Sequence, residues 1–154
     1  MRHLVLIAAA GLLAGCSATA ASNASRDAED TQGKQDAANW QGTWKLVSYT
    51  ENGETAQADM KWIVRGDHYM IGIEGNTGDD PYPFQLDPSQ KHIDVHHHDT
   101  PEGTYGGHLK GIYEIRGDSL KVCYDLKGQQ YPTSFAAERG SGQVLYQFQR
   151  AQRN

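Results

Sequence analysis

The segment Lys91-His92-Ile93-Asp94-Val95-His96-His97-His98-Asp99 holds four of the seven histidines of the chain. In an extended conformation His92, Asp94, His96 and His98 point to one side, while Ile93, Val95 and His97 point to the other. A His-x-His pair with a neighbouring carboxylate is a ligand set for Zn²⁺ or Cu²⁺, and Asp94, Asp99 or the distant His108 could complete it. A solvent-facing strand end predicts the same pattern, with Ile93 and Val95 turned to a core and the polar set to water. Both readings place 91–97 on a strand. Other chemistry finds no support. A Gly-x-Ser-x-Gly elbow, a Gly-x-Gly-x-x-Gly turn and a P-loop are all missing from the sequence. Asp79, Asp80 and Asp87 do not have the spacing of an EF-hand loop. The chain is therefore read as a binding or interaction protein and not as an enzyme.

The aromatic residues offer a different kind of site. Trp40, Trp44, Trp62, Tyr69, Tyr113, Tyr124, Phe135 and Phe148 are spread through the chain, on segments that alternate between apolar and polar residues. They either fill a core or line a small apolar cavity. Trp44, Trp62, Tyr69 and Tyr113 are the candidates for contact with a small apolar or amphipathic ligand. Trp40, just ahead of the first strand, is placed to plug one end of the fold. Cys123 alternates with Leu120, Val122 and Tyr124, and no His or Asn pattern beside it suggests activation, so it reads as structural.

Short strands must position these residues. In 41–50 (Gln-Gly-Thr-Trp-Lys-Leu-Val-Ser-Tyr-Thr), Trp44, Leu46 and Ser48 fall on one face and Lys45, Val47 and Tyr49 on the other. Asn52-Gly53 is a turn signal, and strands are expected at 60–65 and 68–73 around Gly66-Asp67. Further strands are expected at 84–86, 91–97, 109–115, 119–126 and 144–150, with 127–142 mostly loop. About eight strands with hairpin-length links and no crossover helices predict an all-β fold, a small up-and-down antiparallel barrel. A two-sheet sandwich is the other arrangement that fits. Eight strands enclose an interior that side chains fill or that holds one small ligand. The net charge is −5 with His neutral, and no basic stripe marks a nucleic-acid partner.

Ahead of this domain, at 40–154, lie two segments of another kind. Arg2 and His3 precede an apolar run from Leu4 to Leu13, too short to span a bilayer and suited to a secretory signal. The run ends in Leu13-Ala14-Gly15-Cys16, which resembles a bacterial lipobox. The resemblance implies cleavage of 1–15, diacylglycerol on the Cys16 sulfur and a further fatty acyl chain, such as palmitate, on the new amino terminus. Two or more acyl chains make membrane anchoring durable. Ser17 in place of Asp implies the outer membrane, with the domain facing the periplasm. An ordinary signal peptide cut after Ala18 or Ala20 is the alternative. Residues 16–39 then form the lipidated Cys and a polar segment without apolar periodicity, expected to be a flexible tether, with a short helix around Asp27–Asp36 as the alternative.

Gly42-Thr43-Trp44-Lys45-Leu46-Val47 resembles the opening Gly-x-Trp strand of lipocalin-like proteins. Gly111-Ile112-Tyr113-Glu114, the run Gly117-Asp118-Ser119-Leu120-Lys121-Val122-Cys123 and the Ser141-Gly142-Gln143-Val144-Leu145 end look like an uncharacterised lipocalin-like domain family of bacterial envelope proteins. These positions cover nearly all of 40–154. The resemblance implies the barrel and brings no activity and no catalytic residues. The chain departs from a typical lipocalin in being short and in lacking a recognisable C-terminal helix beside the barrel.

Overall fold

The structure, a computed structural model, describes residues 18–78, 80–97 and 107–152. The expected leader 1–15, Cys16 and His98 lie outside the described residues. Among the described residues one helix, α1 (Ala18–Trp40), is followed by ten strands: β1 (Gly42–Glu51), β2 (Glu54–Ala56), β3 (Met60–Arg65), β4 (His68–Ile73), β5 (Asn76–Thr77), β6 (Tyr82–Asp87), β7 (His92–His97), β8 (Gly107–Arg116), β9 (Ser119–Asp125) and β10 (Gln143–Arg150).

Eight of these strands close into an antiparallel barrel. The order runs β10-β9-β8-β7-β6-β4-β3-β1, and β1 pairs again with β10, so the sheet has no open edge around its circumference. The two remaining strands are short additions, β2 on the end of β1 and β5 on the end of β4. The weakest seam joins β4 to β6, where only His68↔Pro83 and Tyr69↔Tyr82 are paired. A further bond there runs from the Phe84 N–H to the Asp67 carbonyl. This is the all-β up-and-down barrel that the alternating pattern predicts, and it is consistent with the lipocalin-like fold that the resemblance implies.

Inward positions are apolar on nearly every strand. Trp44, Trp62, Val64, Tyr69, Ile93, Val95, Leu120, Val122 and Phe148 are all buried. Register changes this picture at one point. A bulge at Val47 lets Leu46 face Phe148 and Ser48 face Gln147, with Val47 left unpaired. The expected alternation of Trp44, Leu46 and Ser48 therefore breaks. Past the bulge Tyr49 pairs with Tyr146 on the inner side, and Ser48 Oγ accepts a bond from Gln147 Nε2 on the outer side. Val47 itself is half exposed.

The tether expected over 16–39 is corrected as far as it is described. It is helical from Ala18, and its last turns are docked on the barrel. Trp40 is fully buried, with its ring 5.5 Å from Phe84 and 5.4 Å from Tyr113, and its carbonyl accepts from Trp44 Nε1 at 2.8 Å. Arg150, over the Trp44 ring at 4.0 Å, donates to the carbonyls of Asn39 and Gln41 and so satisfies the end of the helix. Gln41 exchanges two hydrogen bonds with the backbone of Gly66 in the β3–β4 turn. Polar composition alone predicts disorder, but four late residues, Asp36, Trp40, Gln41 and Asn39, find partners in the barrel.

Asp36 is the polar centre of this docking. Its carboxylate accepts from Gln32, from Lys91 Nζ and from the hydroxyl of Tyr113. Burial alone would raise its pKa, but the bonds from Lys91, Tyr113 and Gln32 outweigh it and hold the carboxyl below the usual range. The stabilisation is therefore present above the unfolded carboxylate value and is lost as pH falls through the lower, folded one. Asp36→Ala is expected to cost about 1–3 kcal/mol, the penalty for leaving the buried Tyr113 hydroxyl unsatisfied. The gap between the urea melts of the two proteins should narrow as pH falls through the lowered Asp36 value, down to the pH-independent cost of the unpaired Tyr113 hydroxyl. A constant gap across the acid range would contradict this account.

Candidate functional site

The barrel has two unlike ends. At the base, where β1 begins and β10 ends, Trp40, Trp44, Phe84 and Tyr113 fill the interior. At the opposite end, the side chains of the described residues stop short of closing it and leave a cavity of about 140 Å³. Met60 and Trp62 of β3, Tyr69 and Ile71 of β4 and Leu109 of β8 form one part of its wall. Tyr124 of β9, Leu126 just after it, and Val144 and Tyr146 of β10 form the rest. Its inner wall is a layer of packed rings. Trp62 stacks on Tyr69 at 4.7 Å, meets Phe148 at 4.3 Å and Tyr146 at 5.6 Å, while Tyr124 and Tyr146 stand edge to face.

Local sequence explains this layer. Met60 and Trp62, Tyr69 and Ile71, and Val144, Tyr146 and Phe148 have the same parity on their strands, so all turn inward. Gly111 supplies the room for one ring. It pairs with Tyr124, and a Cβ added there would stand 2.5 Å from Tyr124 Cδ1, so the phenol ring lies flat against the β8 backbone. Burial first, then Tyr146 and Tyr82, raises the Tyr69 phenol far above the ordinary tyrosine value against an opposing bond with Tyr124. Burial, then Tyr69 and Tyr146, raises Tyr124. Among the described residues no Asp, Glu, His, Lys or Arg lines the cavity.

The four expected ligand contacts therefore separate. Trp62 and Tyr69 are brought together on the cavity wall. Trp44 and Tyr113 are not on it: Trp44 is packed beneath Arg150 at the base, and the Tyr113 hydroxyl is bonded to Asp36. Ile71, Leu109, Leu126, Val144, Tyr146 and Met60 were not among the expected contacts. The parity of Val144, Tyr146 and Phe148 on a single strand carries the signal for Tyr146. Leu126 and Leu109 sit at strand ends, where alternation says little about a cavity.

The expected metal set lies on the outer face of the barrel. Ile93 and Val95 are buried and His92, Asp94 and His96 face outward, as the alternation predicts. Their side chains share two neighbours, Tyr131 and His108, and His108 Nε2 lies 3.5 Å from Asp94 Oδ1. His92 lies flat on Tyr131 at 3.8 Å, and Asp94 accepts from the Tyr131 hydroxyl at 2.7 Å. That bond, with a smaller contribution from burial, pushes Tyr131 up to about 12. His96 meets its cross-strand partner His108 at 4.0 Å. Among the described residues no three His, Cys, Asp or Glu side chains form a group that could hold a metal ion.

Two further features border these residues. A groove of about 630 Å³ runs outside the barrel between the end of α1 and the segment 131–135. Its main polar groups are already matched, Asp36 with Lys91 and Tyr113, and His92 with Tyr131. Cys123, on the outer side of β9, is roofed by the segment 126–142 and donates to the Ala136 carbonyl. Burial pushes its thiol up to about 11, consistent with an inert structural cysteine.

Comparison of the chain with protein-family models, with curated proteins and with solved structures returns no match. The class of protein rests on the fold and the cavity themselves: an eight-stranded antiparallel barrel closed at one end by a helix and hollow at the other.

Proposed function

We propose that this protein is a non-catalytic binding module of the bacterial envelope that takes a small ligand into the open end of its barrel. The observation that carries the reading is the cavity of about 140 Å³ above the Trp62–Tyr69 stack. Cavities of this size with apolar walls stay dry and accept small apolar molecules such as benzene. The aromatic layer below it supplies a rigid floor, because the base is already filled and docked to α1.

Toluene tests the cavity directly. A ligand that binds only the folded state stabilises it by mass action, and a tenfold excess over Kd adds about 1.4 kcal/mol. The expected result is a rise in Tm of roughly 3–8 °C that saturates with concentration. An unchanged Tm at the solubility limit of toluene would leave the barrel as a filled interaction domain, the reading favoured by the packing of its base.

The envelope location rests on the Leu13-Ala14-Gly15-Cys16 sequence. In this reading Cys16 carries the lipid anchor and α1 follows it at once. Labelled palmitate should enter the full chain expressed in bacteria and be lost with Cys16→Ser, which should also release the protein from the membrane fraction. Equal labelling of both chains would overturn the anchor.

A further inference from the structure

The walls of the cavity limit the chemistry of its ligand. We infer that it takes an uncharged molecule built on a single aromatic ring, and that it excludes fatty acids and other carboxylates. This inference rests on the cavity reading above and goes further in naming the ligand class.

Charge is the first argument. Among the described residues, the lining side chains that carry an N–H or O–H group are Tyr69, Tyr124, Tyr146 and Trp62, none of them a carboxylate or a cation. A carboxylate taken out of water needs a cation or several donors aimed at it, and without them the cost is several kcal/mol. Among the described residues the cavity presents no cation. The tyrosines report the same environment, since burial, with Tyr146 close to both, already opposes a negative charge on Tyr69 or Tyr124.

Size and shape give the second argument. A volume of about 140 Å³ suits one six-membered ring with a small substituent. A long acyl chain finds no continuation below it, because Trp62, Tyr69 and Phe148 close the floor and Trp40, Trp44 and Tyr113 occupy the base. The rings that surround the space also reward another ring. Offset or edge-to-face aromatic contacts add about 0.5–1.5 kcal/mol beyond area burial, so a planar aromatic gains over a saturated ring of the same size.

Four probes separate these statements: toluene, methylcyclohexane, benzoate and decanoate, each titrated at pH 7 by calorimetry and by NMR. Toluene should bind with methylcyclohexane roughly 2–12-fold weaker. Benzoate and decanoate should be weaker than toluene by about 100-fold or show no saturable binding. Benzoate or decanoate binding as tightly as toluene would overturn the inference on charge while leaving the cavity reading intact. Methylcyclohexane binding as tightly as toluene would overturn the aromatic preference. Binding by none of the four would remove the cavity reading itself. A gain-of-function variant closes the test. Met60→Lys, or Leu126→Lys if the first does not fold, puts an ammonium at the cavity and should raise benzoate affinity about tenfold. A folded Lys variant with no gain for benzoate would overturn the charge argument.

Discussion

Trp40→Ala should lower the stability of the domain by about 3–5 kcal/mol, the usual cost of truncating a buried tryptophan. The residue is fully buried, and its ring fills the barrel base between Phe84 and Tyr113. Its loss opens a void under Trp44, whose indole N–H bonds to the Trp40 carbonyl, and removes the main apolar contact of α1. The cost should appear as a lower urea midpoint with an unchanged slope. A flexible tether makes the opposite prediction. In that case the substitution would act on an exposed residue and move the midpoint by no more than about 0.5 kcal/mol. The expected loss is several times larger than that limit, so one melt separates a docked helix from a tether.

Val144→Phe should leave the protein folded and abolish ligand binding. Val144 is buried on β10, and its side chain lies on the wall of the cavity, so the added ring has space to enter. Filling a void offsets the strain of a larger side chain, and stability should stay within about 1.5 kcal/mol of the parent. Toluene, by contrast, would have to displace a covalently held ring, and its affinity should fall by about 100-fold or more, which leaves the Tm flat. Leu109→Phe approaches the same space from β8 and should do the same. If both variants fold and still bind toluene with parental affinity, the ligand sits elsewhere, and the groove beside α1 becomes the alternative.

Much of the barrel is legible in the sequence because its strands alternate cleanly. Trp62 and Val64, Ile93 and Val95, and Leu120, Val122 and Tyr124 are inward where a two-residue period puts them. Turn chemistry marks the links, with Asn52-Gly53, Gly66-Asp67 and Gly117-Asp118 at hairpins, each glycine at positive φ. The bulge at Val47 was not legible. It depends on how β10 pairs with β1, a contact made about 100 residues away.

The candidate site was legible only in part, for the same reason. Aromatic content pointed to the interior, and Trp62 and Tyr69 lie on the cavity wall. Nothing local distinguishes them from Trp44 and Tyr113, which occupy the filled end. That division is made by α1, whose polar sequence conceals its docking. Asp36 finds Lys91 and Tyr113 at separations of 55 and 77 residues, and Trp40 follows from that placement. The His run was conspicuous as sequence, but its spacing along one strand does not specify which neighbours its side chains will choose. Tyr131, from a loop, takes both His92 and Asp94.

The most direct test of the central claim is a benzene titration of the labelled protein followed in methyl and aromatic NMR spectra. The account expects saturable shifts at Met60, Ile71, Leu109, Leu126 and Val144, around the cavity, with Val64, Ile93, Val95 and Leu120 nearly unmoved. Shifts confined to the residues of the outer groove, or none that saturate, would contradict a ligand site inside the barrel.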